Sequence, residues 1–177
     1  MSIITQIKNG DEQAFAELIE KYKLPIYKTA KSILKDEDDV CDAIQDTALS
    51  IYKNIQNLKN EEYFKTWVIR ITINKCYDIL KKHKLNNEKM LKAQEDVSEL
   101  HTNFDNNVIL QTDLQRTLEL LEEDLKIVTV LYYYNDLSIS EISDILNIPK
   151  GTVKSRVFRA REKLYEILSK EEVDTIE

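Results

Sequence analysis

Apolar residues recur every three or four positions along most of this chain, the spacing of amphipathic helices. In EQAFAELIEKYKLPIYKTAKSIL the repeat falls on Phe15, Leu18, Ile19, Tyr22, Ile26, Ala30, Ile33 and Leu34. Residues 2–9 can form a short helix before it, with Gly10 as its stop and Asp11 as the cap of the next. Pro25 lies inside the long repeat, so a kink or break is expected there. Residues 36–39 (DEDD) open another helix, where carboxylates suit the positive end of the dipole. Its apolar side is Val40, Ala43, Ile44, Thr47, Ala48 and Ile51.

A polar loop, Asn54–Asn60, precedes the long helical run EEYFKTWVIRITINKCYDILKKHK. That run is apolar on two faces, Phe64, Trp67, Val68, Ile71 and Ile69, Ile73, Cys76, Leu80, as a helix buried in a bundle would be. The phase of Trp67 with Phe64 and Ile71 points to core packing rather than stacking on a ligand. Residues 85–107 lose the period and turn polar, which marks a linker. Fully extended, such a segment reaches about 75–80 Å. Helical spacing resumes at Val108, Leu114, Leu118, Leu121, Leu125, Val128, Leu131 and Tyr132, room for two or three helices.

A sharper pattern follows. SISE, Ser138 to Glu141, has the form of a capping box. Ile139, Ile142, Ile145 and Leu146 make one apolar face, and Asn147 tolerates the left-handed backbone of a helix stop. Ile148 can pack in the turn, and Pro149 suits the first position of a second helix. Two short helices joined by a tight turn, the second one basic, form a helix-turn-helix. At about 100° per residue, Val153, Val157, Ala160, Leu164 and Leu168 make the core stripe of the second helix. Gly151, Lys154, Ser155, Phe158, Arg159 and Glu162 lie opposite. Lys150 and Arg161 flank that face on one side, Thr152 and Arg156 on the other. Lys and Arg can bond guanine in the major groove, and Phe can touch a thymine methyl. Gly151 allows close approach to a phosphate. The plan is therefore all-α: a helical domain at 1–84, a flexible linker at 85–107, a helix-turn-helix domain at 108–170 and a tail at 171–177.

Charge refines the picture. The chain carries −7 overall, yet residues 64–84 hold six basic side chains against one acidic, and Lys150–Lys163 repeats that balance. Residues 85–145 hold 13 acidic against four basic. Two basic islands in an acidic chain suit two localised contacts with a polyanion, restrained until a partner helps. The two cysteines, Cys41 and Cys76, have no metal-ligand spacing and read as buried, reduced thiols. No catalytic constellation, phosphate-cradling glycine loop or metal set is visible, so no enzyme, no cofactor and no small-molecule substrate is expected. Neither a signal peptide nor a membrane span is legible, which predicts a cytoplasmic protein without membrane insertion.

LSISEISDILNIPKGTVKSRVFRAREKLYEIL resembles region 4 of bacterial RNA polymerase sigma factors of the extracytoplasmic-function type. NGDEQAFAELIEKYKLPIYKTAKSIL, DDVCDAIQDTALSIYKNI and YFKTWVIRITINKCYDILKK resemble region 2 of the same group. The resemblance implies an alternative sigma factor that binds core RNA polymerase and recognises −10 and −35 promoter DNA. It implies that Asp39, Asp42, Gln45, Asp46 and Leu49 grip the polymerase. It implies that the loop from Asn54 to Glu62, with Asn57, Asn60 and Lys65, captures a flipped −10 base, and that Asn74, Lys75, Lys81 and Lys82 line the −10 path. Lys150, Gly151, Thr152, Lys154, Ser155, Arg156, Phe158, Arg159 and Arg161 then serve the −35 element. Lysines stand at 81 and 82 where the family often has arginines, and LEEDLKIV replaces a usual Pro and Arg. The family also implies an anti-sigma partner, often membrane-anchored. From the residues alone, a stand-alone helix-turn-helix repressor or activator and a pure interaction module remain open.

Overall fold

The computed structural model describes residues 2–93 and 117–174, with side chains described for 2–88 and 117–169. Every regular element among them is helical. We number the helices α1 (Ile3–Lys8), α2 (Glu12–Lys31), α3 (Glu37–Asn54), α4 (Phe64–Ala93), α5 (Glu123–Thr129), α6 (Ile139–Leu146) and α7 (Lys150–Asp174). Two 3-10 turns, Ile55–Asn57 and Glu61–Tyr63, join α3 to α4, and a π turn, Val130–Tyr134, extends α5.

The helix starts follow local chemistry. Ser2, Asp11 and Asp36 each accept backbone amide hydrogens as N-caps of α1, α2 and α3. Gly10 ends α1 at φ 92°, a backbone that glycine adopts without a Cβ penalty. The expected break at Pro25 is absent: α2 runs through it. A proline costs a helix interior about 3 kcal/mol, but Leu18, Ile26 and Ala30 on either side are all buried and hold both halves in one line.

Helix α4 is the central element, and its two apolar faces go to different neighbours. Phe64 and Val68 join Ile4, Ile7, Leu18, Ile26, Ile51 and Ile55 in one core, with Trp67 half-buried 5.9 Å from the Phe64 ring. Cys76 and Ile79 pack on Ala30, Leu34, Val40 and Ala43. Ile69 and Ile73 enter a third core with Ile127, Val128, Leu131, Leu137, Ile142 and Val153. Ile69 and Ile73 of the second apolar face are therefore covered by the helix-turn-helix half, so the two helical units share a core, while Cys76 turns to α2 and α3 and Leu80 stays exposed. Polar contacts cross the same junction. Thr66 Oγ1 donates to Glu141 at 3.0 Å, and Asn135 Nδ2 donates to Thr29 Oγ1 at 3.0 Å. The Lys28 ammonium lies 3.6 Å over the Tyr134 ring. Burial lowers the Lys28 pKa and raises that of Tyr134.

Other expectations shift in detail. The loop Asn54–Asn60 buries Ile55 and Leu58 and turns by 3-10 geometry. Helix α4 continues past Lys84 to Ala93, so the expected boundary at 84/85 falls inside a helix. The boundary at 107/108, with Val108 and Leu114, lies outside the described residues. Cys41 is exposed while Cys76 is buried, so only one thiol is shielded. Leu168 is 40% exposed and leaves the core stripe of α7, while Val153 and Ala160 are fully sealed.

Candidate nucleic-acid interface

The helix-turn-helix is built by local bonds before any tertiary contact. Ser138 Oγ accepts the Glu141 amide at 3.2 Å, and Glu141 Oε2 accepts the Ser138 amide at 2.8 Å, a closed capping box. The Ser138 hydroxyl and amide hold the Glu141 carboxyl below its ordinary pKa; burial opposes them, and the Thr66 hydroxyl and the Lys65 charge add smaller lowering effects. Asn147 ends α6 in the left-handed region, at φ 53° and ψ 46°. Ser143 Oγ donates to the Ile148 carbonyl at 2.6 Å and ties down the turn. Pro149 sits one position before α7, where its carbonyl accepts the Thr152 and Val153 amides. It serves as the cap residue rather than the first helical residue.

Helix α7 then presents its basic face outward. Lys150, Gly151, Lys154, Ser155, Phe158, Arg159 and Arg161 are exposed, and Thr152 is half-buried. Phe158 is 50% exposed, with the Arg161 guanidinium 5.4 Å from its ring centre. A cation held over an aromatic ring keeps this apolar group on a basic surface without a separate apolar patch. Arg159 Nε reaches the Ser155 carbonyl at 3.4 Å and Ser155 Oγ the Thr152 carbonyl at 3.0 Å. Arg156 departs from the group. Its guanidinium pairs with Asp124 at the start of α5, and it lines a cleft of about 390 Å³ between α4 and the helix-turn-helix half. Asp124 lies 32 positions away in sequence, so no local signal pointed to the pair.

The residues expected on the −10 path spread along α4 and the loop before it. Asn57 and Asn60 are exposed. Asn60 Oδ1 accepts the Glu62 amide at 2.9 Å and caps the second 3-10 turn. Lys65 and Lys75 are half-buried, and Lys81 and Lys82 are exposed. Asn74 is exposed on the wall of the cleft that Arg156 also lines. From Lys65 to Lys82 the helix rises roughly 26 Å at ~1.5 Å per residue, so these groups track a path rather than converge on a point.

On α3, Asp42, Gln45 and Leu49 are exposed and Asp46 is half-buried, one stripe at helical spacing. Leu49 is 55% exposed in this acidic surface. Asp39 meets His83 at 3.0 Å, which ties the start of α3 to α4. The junction residues Thr29, Thr66, Asn135 and Glu141 were not singled out by sequence reasoning as partners; the second apolar face of α4 was the one available sign. Among the described residues, no group of His, Cys, Asp or Glu could hold a metal ion, and no helix is long and apolar enough to cross a membrane.

Comparison with known proteins gives this architecture relatives. The family model for sigma-70 region 2 matches residues 18–85, and that for sigma-70 region 4 matches residues 111–164. The chain is 34% identical over 174 residues to the ECF RNA polymerase sigma factor SigW of Bacillus subtilis, covering 91% of this chain and 92% of that one. It is 29% identical over 174 residues to the ECF RNA polymerase sigma-E factor of Haemophilus influenzae, covering 92% of each. Two solved structures share its fold at 23% identity. CnrH in complex with the cytosolic domain of CnrY aligns at a TM-score of 0.64, over 94% of this chain and 95% of that one. The sigma factor RpoE in complex with the anti-sigma factor NepR from Bartonella quintana aligns at 0.65, over 86% and 97%. With both regions present in order and a relative of this identity along nearly its whole length, the chain belongs to the extracytoplasmic-function (ECF) group of the sigma-70 family.

Proposed function

We propose that this protein works as an alternative sigma factor that brings core RNA polymerase to a specific set of promoters, with its two helical units dividing the work. The exposed basic face of α7 carries the reading, because its opposite face is sealed by Val153 and Ala160 while Lys154, Ser155, Phe158 and Arg159 stand exposed together. Lys154, Ser155, Phe158 and Arg159 read the −35 element in the major groove, and Lys150, Gly151, Thr152 and Arg161 hold its backbone. Arg156 joins them only after leaving Asp124. The loop from Asn54 to Glu62 traps a −10 base that has left the stack, with Asn57, Asn60 and Lys65 nearby. Asn74, Lys75, Lys81 and Lys82 guide the −10 strand. Asp39, Asp42, Gln45, Asp46 and Leu49 on α3 grip the polymerase.

Promoter elements about two helical turns apart are separated by roughly 70 Å at ~3.4 Å per base pair. Helices α4 and α6 touch here through Thr66 and Glu141. The closed arrangement therefore belongs to the free protein, and the two units separate on the promoter. The proposed division follows residues 1–84 and 108–170. The protein does no chemistry of its own, needs no cofactor and acts in the cytoplasm, where polymerase is. An anti-sigma factor is its natural restraint, by analogy with the NepR complex of the Bartonella relative. A stand-alone repressor has no observation in its favour. Run-off transcription with purified core polymerase tests the proposal. Promoter-specific transcripts that depend on this protein are expected; none from a genomic promoter library would refute it.

A further inference from the structure

Helix α1 is short, yet it spends its polar side chains on one target, the loop between α3 and α4. Lys8 Nζ donates to the Leu58 carbonyl at 2.6 Å, and Gln56 Nε2 returns a bond to the Lys8 carbonyl at 2.8 Å. At the other end of the loop, the Ser2 and Thr5 hydroxyls both donate to Glu61 Oε1, at 2.6 and 3.2 Å. Ile4 and Ile7 sit beneath, in one core with Ile55, Leu58 and Phe64. The loop is thus pinned before and after its middle, while Asn57, Lys59, Asn60 and Tyr63 between and beside the pins stay exposed. Tyr63 is 63% exposed.

The loop's own bonds are short-range: 3-10 closures such as Leu58 N to Ile55 O and Tyr63 N to Asn60 O, at 3.1 and 3.3 Å, and the Asn60 side chain on the Glu62 amide. A loop that must hold an extruded base gains from being ordered beforehand, because otherwise each capture event bears the ordering entropy. We infer that α1 is a brace for the base-capturing loop, with Lys8 and Thr5 as positioning residues that never touch the DNA. The inference rests on the proposed role of that loop.

The test uses the full chain bound to core polymerase and a fork-junction DNA selected by that holoenzyme from a random pool. Single abasic substitutions along the non-template −10 strand identify the captured position. Lys8→Met and Thr5→Val are expected to weaken binding of the intact fork by about five- to tenfold, the net effect of one hydrogen bond. Lys8→Arg, which keeps a donor, is expected to restore most of it. On the fork that is abasic at the captured position, wild type and Lys8→Met are expected to agree within about twofold, which a general loss of folding would not produce. Two results overturn the brace alone: Lys8→Met and Thr5→Val binding the intact fork like wild type, or their deficit persisting undiminished on the abasic fork. If no abasic substitution weakens wild-type binding, the loop captures no base, and the underlying reading falls together with the brace.

Discussion

Replacing Glu141 by alanine removes two things at once. The carboxylate closes the capping box with Ser138, and it accepts the Thr66 hydroxyl from α4 across the junction. The Ser138 hydroxyl still caps the helix through the backbone amide of residue 141, so the losses are the carboxylate's bond back to the Ser138 amide, about 1 kcal/mol, and the bond from Thr66, about 1 kcal/mol more. The sum, roughly 2 kcal/mol, corresponds to a drop of about 4–8 °C in Tm for a chain of this size. Thermal and urea unfolding of Glu141→Ala, Thr66→Val and the double variant measure it. A coupling of about 0.5–1 kcal/mol between the two positions is expected if the junction forms in solution. The pH dependence follows from the lowered carboxyl pKa. A group with a depressed folded-state pKa contributes stability that is full above the unfolded value of about 4.3 and lost as pH falls through the folded value. The difference between wild type and Glu141→Ala is therefore largest near neutrality and shrinks in acid. Additivity of the two single variants within error would refute the contact, and with it the closed arrangement in solution.

Three further outcomes are expected. Burial pushes the Cys76 thiol up to about 12, whereas Cys41 is exposed; iodoacetamide at pH 8 should label Cys41 alone in the folded protein, and mass spectrometry showing equal labelling would contradict the fold around α4. Asn135 is fully buried, its amide nitrogen on Thr29 and its Oδ1 without a partner; Thr29→Val alone should cost about 1–3 kcal/mol by stranding the whole amide, while Thr29→Val with Asn135→Leu should be nearly neutral, as urea titration would reveal. Arg159→Ala should weaken holoenzyme binding to the −35 element by about 1–3 kcal/mol at the base it reads, whereas Lys150→Gln should lower the salt slope by roughly one, as seen in filter binding across salt concentrations; unchanged affinity and slope would remove α7 from the interface.

The helix-turn-helix was legible because everything that makes it is local. The Ser138–Glu141 capping box, the Asn147 stop and the α7 periodicity lie within a turn or two of each other in sequence, and the structure places Lys154, Ser155, Phe158 and Arg159 on one exposed face. Arg156 shows the limit of the same reasoning. Helical phase set it at the margin of that face, but a long flexible side chain goes where its partner is, and Asp124 draws it inward. Pro25 shows the opposite failure, since its local cost predicts a break and burial on both sides overrides it.

By itself, then, the sequence determined the helices, their caps, the chemistry of the two basic islands and the family. Those depend on 3.6-residue spacing, on short-range hydrogen bonds and on composition, all of which are written in consecutive residues. Only the tertiary structure decided that Ile69 and Ile73 of α4 close on Ile127, Leu131, Ile142 and Val153, that Thr29 meets Asn135, and that α1 pins the loop ahead of α4. Periodicity announces that a face is buried, but hydrophobic attraction has no direction. Which distant surface covers that face depends on how the whole chain packs.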